Sequence, residues 1–244
     1  MTHLVSFVKK KAAFVFLPFY LWELRKLKKQ SLESCILTVV EGQSRFARCI
    51  RSNQKITEIT AFLNRAMKEK PTRVVEIGTA RGGTLFLLAR LIADSAGIII
   101  SMDIAHPWKP GRGGYPFWKI PLYKNFGGRR QTIRLIRANT HSPRTLQRLG
   151  AVIKRETVDV LFIDGDHSYE GVKNDFEWYA PFVRRGGIIA FHDIVPGPPE
   201  NVGGVPEFWN EIKGKYPHAE FVDDWNQGGY GIGIIVYDSD KTAA

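Results

Sequence analysis

The chain has little cysteine: Cys35 and Cys49 are the only two in 244 residues. Their spacing fits no zinc site and both fall in a helical pattern, so reduced, structural thiols in a cytosolic protein are expected. Long apolar runs are missing as well. The best candidate, Ala12 to Trp22, is about half the length of a membrane-spanning helix and is interrupted by Pro18. Between Ile104 and Arg155 there is no Asp or Glu at all, against twelve Lys and Arg. Repeats and low-complexity tracts are absent. Apolar and charged fractions of 44% and 24% exclude a disordered or collagen-like chain.

The net charge of +11 is therefore uneven. Residues 1–30 hold seven Lys and Arg against Glu23 alone, and the acid-free interval adds a second positive field. Such a field suits an anionic partner, unless it is only a solvated face. The basic residues are scattered over loops, strands and helices and form no recognised nucleic-acid module, so a nucleic-acid partner ranks below a small molecule. Lys9, Lys10 and Lys11 precede the apolar run as in a signal peptide, but no small-residue cleavage site follows and secretion is not expected. The segment is expected either to lie in a membrane interface, its cations meeting anionic head groups, or to pack on the domain or on a second copy in a homo-oligomer.

From Ser31 to Lys70 the pattern is helical, with Ile36, Val39, Val40, Ile56, Ile59, Phe62, Leu63 and Ala66 at three- and four-residue spacings, and Pro71 closes it. Residues 1–70 are thus expected to be a helical extension and 71–244 the main domain. In the latter, RVVEIG, GIIISMD, TIRLIRAN, VDVLFID and GGIIAFHD read as strands apolar on both faces, separated by helical patterns. One such helix starts at Pro143 with Ser142 as its cap. HAEFVDD and YGIGIIVYD read as a terminal antiparallel pair. The expected fold is α/β, a doubly wound, seven-stranded, mostly parallel sheet. Residues 105–130, rich in Gly, Pro and cations and carrying Trp108, Tyr115, Phe117, Trp118 and Tyr123, interrupt the rhythm and are expected to form a lid.

Chemistry concentrates at strand ends. VVEIGTARGG puts Glu76 at a strand end, Gly78 in the turn and Gly82 and Gly83 at a helix start, where glycines let a backbone approach a ligand or a neighbouring element. The E-x-G-x-x-x-G spacing is not a dinucleotide fingerprint, and an acid beside the turn suits a cationic ligand. VDVLFIDGDHSYEG then releases Asp164, Asp166, His167 and Glu170, and GGIIAFHDI ends in His192 and Asp193. Two strands ending in acid and imidazole suggest one shared site, against the plainer reading of separate caps and turns. Tyr169, Phe176 and Trp178 read as helix packing, and Glu170 and Asp175 as first-turn and surface acids.

The glycine turn, with Asp103 closing the next strand, resembles the first motifs of class I S-adenosylmethionine-dependent methyltransferases, a Rossmann-like fold. The D-G-x-H-x-Y block with its later H-D-I resembles a bacterial family similar to metal-dependent O-methyltransferases; the likeness spans roughly Val74 to Val236. The resemblance implies S-adenosylmethionine held by Glu76, Gly78, Thr79, Ala80, Gly82, Gly83, Asp103, Asn139, Thr140, His141 and Asp164, with Asp103 on the ribose and Asn139 to His141 near the adenine. It implies a divalent metal, Mg²⁺ or Mn²⁺, on Asp164, His192 and Asp193, with the imidazole counting against Mg²⁺. His167 or Asp166 would be the catalytic base, His167 being suited by its reference pKa near 6.5. The implied acceptor is a hydroxyl of a sugar, glycolipid or other small polyhydroxylated metabolite. Two alternatives stand beside it: an Fe(II) site of two histidines and one carboxylate in a hydroxylase-like enzyme, and a membrane-docked binding module without activity.

Overall fold

The computed structural model describes residues 15–104, 115–154 and 156–238. Its centre is a seven-stranded sheet of β1 (Arg73–Ile77), β2 (Gly97–Asp103), β3 (Gln131–Arg137), β4 (Val158–Ile163), β5 (Val183–His192), β6 (His218–Phe221) and β7 (Ile232–Val236). The order is β3-β2-β1-β4-β5-β7-β6. All pairings are parallel except those of β7, which runs against both β5 and β6. The doubly wound sheet is as the alternating pattern predicts. Strand order reverses between β1 and β4, so their carboxyl ends diverge into a crevice there.

Alternation along the strands feeds two cores. Val75, Ile77, Leu161, Ile163, Ile189 and Phe191 face α7 (Pro143–Ile153), α8 (Tyr169–Tyr179) and α10 (Val205–Ile212), which follows the short α9 (Pro199–Val202). Val74, Ile99, Val160, Phe162 and Ala190 face the other way, into a core shared with the N-terminal helices α1 (Leu17–Leu27), α2 (Leu32–Glu41), α3 (Arg45–Cys49) and α4 (Ile56–Met67). Between these helices and the sheet lies α5 (Gly83–Leu91), almost wholly buried, as a helix apolar on all sides must be. The extension is thus an outer layer of the same core. Phe62 of α4 touches Phe162 of β4 with ring centroids 5.3 Å apart.

One expectation is refined here and one corrected. The helical pattern from Ser31 to Lys70 resolves into three helices, broken at Gly42–Ser44 and again between Ile50 and Lys55, where RSNQ offers no apolar period. Nor is the whole of 105–130 a lid. Trp108 lies outside the described residues, but from Tyr115 onward the chain forms a 3₁₀ turn and then α6 (Ile120–Lys124), with Tyr115, Leu122, Tyr123 and Phe126 buried in the core of the extension's side. The apolar side chains of this stretch draw it inward; Phe117 alone of its aromatics stays exposed.

At the opposite, amino end of the sheet, one carboxylate ties three elements. Asp159 Oδ2 accepts the backbone N–H groups of Thr72 and Arg73 at 2.8 and 2.9 Å, and Oδ1 accepts Arg184 Nε at 2.8 Å. Burial alone would raise its pKa, but these donors outweigh burial and hold it below the ordinary value. Replacing it leaves two strand-start N–H groups without an acceptor. Asp159→Ala is expected to lower unfolding stability by about 2 kcal/mol in urea titrations at neutral pH. Because the folded pKa is depressed, the contribution is present above the ordinary carboxylate pKa and fades as pH falls through the folded one, so variant and parent converge in acid.

Candidate functional site

Register brings the tips of β1, β4 and β5 together. Ile77 pairs with Ile163 and Ile163 with Phe191, so the next positions, Gly78, Asp164 and His192, stand side by side. Since Ile163 and Phe191 face the α8 side, Asp164 and His192 turn toward the extension. A Cβ on Gly78, at φ +86°, would lie 1.8 Å from the Asp164 carbonyl oxygen, so only glycine permits this approach. Asp164 Oδ1 meets His192 Nδ1 at 3.2 Å and His167 Nε2 at 3.3 Å. Asp193 leaves the strand in a left-handed conformation, φ +63°, which swings its Oδ2 to 3.4 Å from His192 Nδ1 and 3.5 Å from His167 Nδ1. Its Oδ1 accepts the Tyr230 N–H at 3.0 Å. His167 Nδ1 also bonds the Asn201 carbonyl, which fixes the proton on that nitrogen and leaves Nε2 toward Asp164.

Two carboxylates and two imidazoles at this range settle one another's charge. Burial pushes Asp164 upward, but the charges and hydrogen bonds of His192 and His167 prevail and hold it well below the carboxylate range. For His192, 5% exposed, burial opposes the charge, yet Asp164 and Asp193 together raise its pKa well above 6.5. The hydrogen bond to Asp164 lifts His167 to about 9 against the pull of burial. His167 is therefore imidazolium at neutral pH in this metal-free arrangement, a form that has no lone pair with which to accept a proton. Asp166 stands apart: its Oδ1 accepts the Ser168 N–H at 3.0 Å, while Ser168 caps α8 by accepting from Gly171 N. The Asp166 carboxylate is part of the helix start rather than of the cluster.

The glycine turn lies beside the cluster. Asp103 Oδ2 accepts the N–H groups of Thr79 and Ala80 at 2.9 and 2.8 Å and Oδ1 that of Ile104, so the acid expected on a ribose also fastens the turn. The Thr79 hydroxyl bonds Ser101. Gly82, φ +88°, lies under the Tyr123 ring, where a Cβ would be 2.5 Å from a ring carbon. At Gly83 glycine is required by the extension: a Cβ there would sit 2.4 Å from Ser52 N. Glu76 is fully buried with neither carboxylate oxygen hydrogen-bonded, and burial raises its pKa well above 4.5. After β3, Asn139 Oδ1 accepts the His141 N–H, Thr140 O accepts Tyr179 Oη, and His141 Nε2 comes within 3.2 Å of Asp175. Asp175 is corrected from surface acid to a wholly buried one, its pKa raised by burial to about 6.

Sequence reasoning missed the residues that reach the site from elsewhere. Gln54, in the break between α3 and α4, donates from Nε2 to Asp164 Oδ2 at 3.3 Å, and its Oε1 is buried without a partner. Tyr230 supplies an N–H to Asp193 and sets its exposed ring 6.1 Å from the His192 ring. The polar interruption at 52–54 and the glycines around Tyr230 were the only signals.

Residues 75–194 match the family model of a methyltransferase domain. The protein y4gI of Sinorhizobium fredii is 28% identical over 152 residues, which is 62% of this chain but only 16% of that protein's length. Among solved structures, an O-methyltransferase from Bacillus cereus in complex with SAH superposes with a TM-score of 0.52 at 17% identity, covering 97% of this chain and 100% of that one. The calicheamicin methyltransferase CalS11 gives 0.56 at 15% identity, covering 91% and 93%. At these identities the structural likeness speaks for the fold, and it is the class I methyltransferase fold.

The residues fit the groups this fold implies. Glu76 is a buried acceptor without a donor, suited to the ammonium of a methionine moiety beside a turn of left-handed glycines. Asp164, His167 and Asp193 each offer a ligand atom, all within 4.8 Å of one another. His192, named from sequence as a ligand, directs Nδ1 at the same two carboxylates, so its proton and a cation compete for them. Two carboxylates with imidazole suit Mn²⁺ or a neighbouring transition metal better than Mg²⁺. Without added metal, the raised His167 pKa stabilises the fold below the unfolded value near 6.5, and this contribution is lost as pH rises through about 9. Thermal unfolding is expected to show that decline between those values, and Asp164→Asn to flatten it.

Proposed function

We propose that this chain, whose residues 75–194 match the model of a methyltransferase domain, transfers a methyl group from S-adenosylmethionine to a hydroxyl oxygen of a small-molecule acceptor, assisted by a divalent cation. The observation that carries this reading is the contact of Gly78 with Asp164, which makes the glycine turn and the acid–imidazole cluster walls of one crevice. S-adenosylmethionine supplies an electrophilic methyl group. A cation held by Asp164, Asp193 and His192 would supply Lewis acidity that lowers the pKa of an alcohol. Glu76 receives the donor's ammonium, the turn of Thr79 and Ala80 is braced by Asp103 for its backbone, and Asn139 to His141 border the adenine side. Asn201 holds His167 in the tautomer whose Nε2 takes the acceptor's proton once Asp164 no longer claims it.

The acceptor reading rests on surface chemistry. Tyr230 offers an exposed aromatic face beside His192, which suits a sugar ring or another flat acceptor. CalS11 is described as a TDP-rhamnose 3'-O-methyltransferase, which supports a sugar, and the acid-free interval 104–155 supports one that is anionic. Calorimetry tests the donor half: the parent binds S-adenosylmethionine and Glu76→Gln weakens it by about tenfold or more, the worth of one charge-assisted hydrogen bond. Absence of any cofactor heat in the parent removes the proposal. On a panel of hydroxyl acceptors, Asp164→Asn is expected to cut methyl transfer by about 10²-fold or more.

A cytoplasmic protein that meets a membrane peripherally is the reading that α1 supports. Tyr20, Leu24 and Leu27 are buried, while Val15, Phe19 and Trp22 are exposed at helical spacing and lead into exposed Arg25, Lys26 and Lys29. Lys26 Nζ lies 3.1 Å from the Trp22 ring centroid. No helix among the described residues is long and apolar enough to cross a bilayer. An aromatic patch continued by cations suits anionic head groups. The full chain should sediment with phosphatidylserine-containing vesicles and not with neutral ones, and Phe19→Ser with Trp22→Ser should abolish this; equal recovery with both vesicle types would refute it.

A further inference from the structure

We infer that the N-terminal extension completes the catalytic centre: Gln54 positions Asp164, and Glu58 positions Asp193 by clasping the loop between β6 and β7. Glu58 is a carboxylate with 1% exposure inside α4, and its oxygens are not idle. Oε2 accepts the Gly231 N–H at 2.9 Å, and Oε1 accepts Gln227 Nε2 at 2.7 Å and the Asp223 N–H at 3.3 Å. Neighbouring positions grip the same loop. Lys55 Nζ donates to Gln227 Oε1 at 2.6 Å, and the Thr57 hydroxyl bonds Asp223.

The clasped loop is backbone under strain. Gly228, Gly229 and Gly231 all have positive φ, and so does Tyr230, φ +61°, where a side chain is disfavoured. Tyr230 then hands its N–H to Asp193, itself at φ +63°, and its carbonyl to Val195 N at 3.0 Å. Two adjoining strained residues hold only where surrounding contacts over-determine them. Glu58 supplies those contacts for one side. Gln54 does the equivalent at the other carboxylate, and its amide must present Nε2, because Oε1 in that place would face the ionised Asp164.

Both are positioning residues, since neither is a candidate donor atom of the cluster itself. Partners of ligand carboxylates are commonly worth about ten- to a hundredfold in metal affinity. The cation part of this inference rests on the metal-assisted reading; the clasp itself does not. On the full chain, Mn²⁺ affinity by electron paramagnetic resonance is expected to fall about tenfold in Gln54→Leu and in Glu58→Gln, with S-adenosylhomocysteine affinity within about twofold of the parent. Amide exchange read at Tyr230 should quicken about tenfold in Glu58→Gln and in a milder variant, Gln227→Leu, with the β1, β4 and β5 amides unchanged. Parent-like exchange at Tyr230 in both loop variants, or parent-like Mn²⁺ affinity in Gln54→Leu and Glu58→Gln, overturns the inference. A parent that binds no Mn²⁺ overturns the metal reading by itself, and Tyr230 still decides the clasp.

Discussion

Everything at this site depends on one carboxylate, Asp164, held between the imidazoles of His192 and His167 at the tip of β4. A half-buried carboxylate between two imidazoles needs charge and hydrogen bonds to match, and here both come from neighbours that register makes unavoidable. His192 is the next position along β5, and His167 returns from the turn that opens α8. The same register places Gly78 against the Asp164 carbonyl, so the acid cannot be moved without disturbing the glycine turn. The two chemical halves of the site are joined by backbone, which is why they share a crevice.

The helices before β1 are not an appendage. They cover the face toward which Glu76, Asp164 and His192 point, and they bury α5 between themselves and the sheet. Gly83 is glycine because the Ile50–Ser52 backbone passes against it, and Gln54 reaches Asp164 because the chain breaks its helix there. A layer that builds the core thus also encloses the chemistry. Lys119 illustrates the closeness of this packing: the residue is 6% exposed, burial lowers its pKa to about 8, and its ammonium donates to the carbonyls of Cys49 and Arg81.

The sheet was legible because its signal is local: apolar runs with acids at their ends can be read one strand at a time. Asp103, Asp164, His192 and Asp193 fall at strand ends for that reason. What escaped was set by distance in sequence. Nothing near Gln54 or Glu58 announces a partner more than a hundred residues away, and Asp175 looked like an ordinary surface acid until α8 laid it against the turn after β3. The stretch from Tyr115 to Phe126 was misread for another reason. Its prolines and the glycines on either side suggested a loop, while most of its aromatic residues buried themselves against Gly82 and the extension.

Charge counting links the protonated cluster to the proposed chemistry. Asp164 and Asp193 contribute two negative charges, and His167 and His192, both raised, contribute two positive ones at neutral pH. The same two carboxylates compensated by one divalent cation have no further need of the two protons, and the sum is unchanged. With a cation bound there, His167 would fall back toward neutral imidazole, its Nε2 open and its Nδ1 still pinned to the Asn201 carbonyl. The protonation that disqualifies His167 as a base in the metal-free cluster is therefore the state that cation uptake removes. Under this reading a single electrostatic balance links uptake of the cation by the two carboxylates to the readiness of the base at neutral pH.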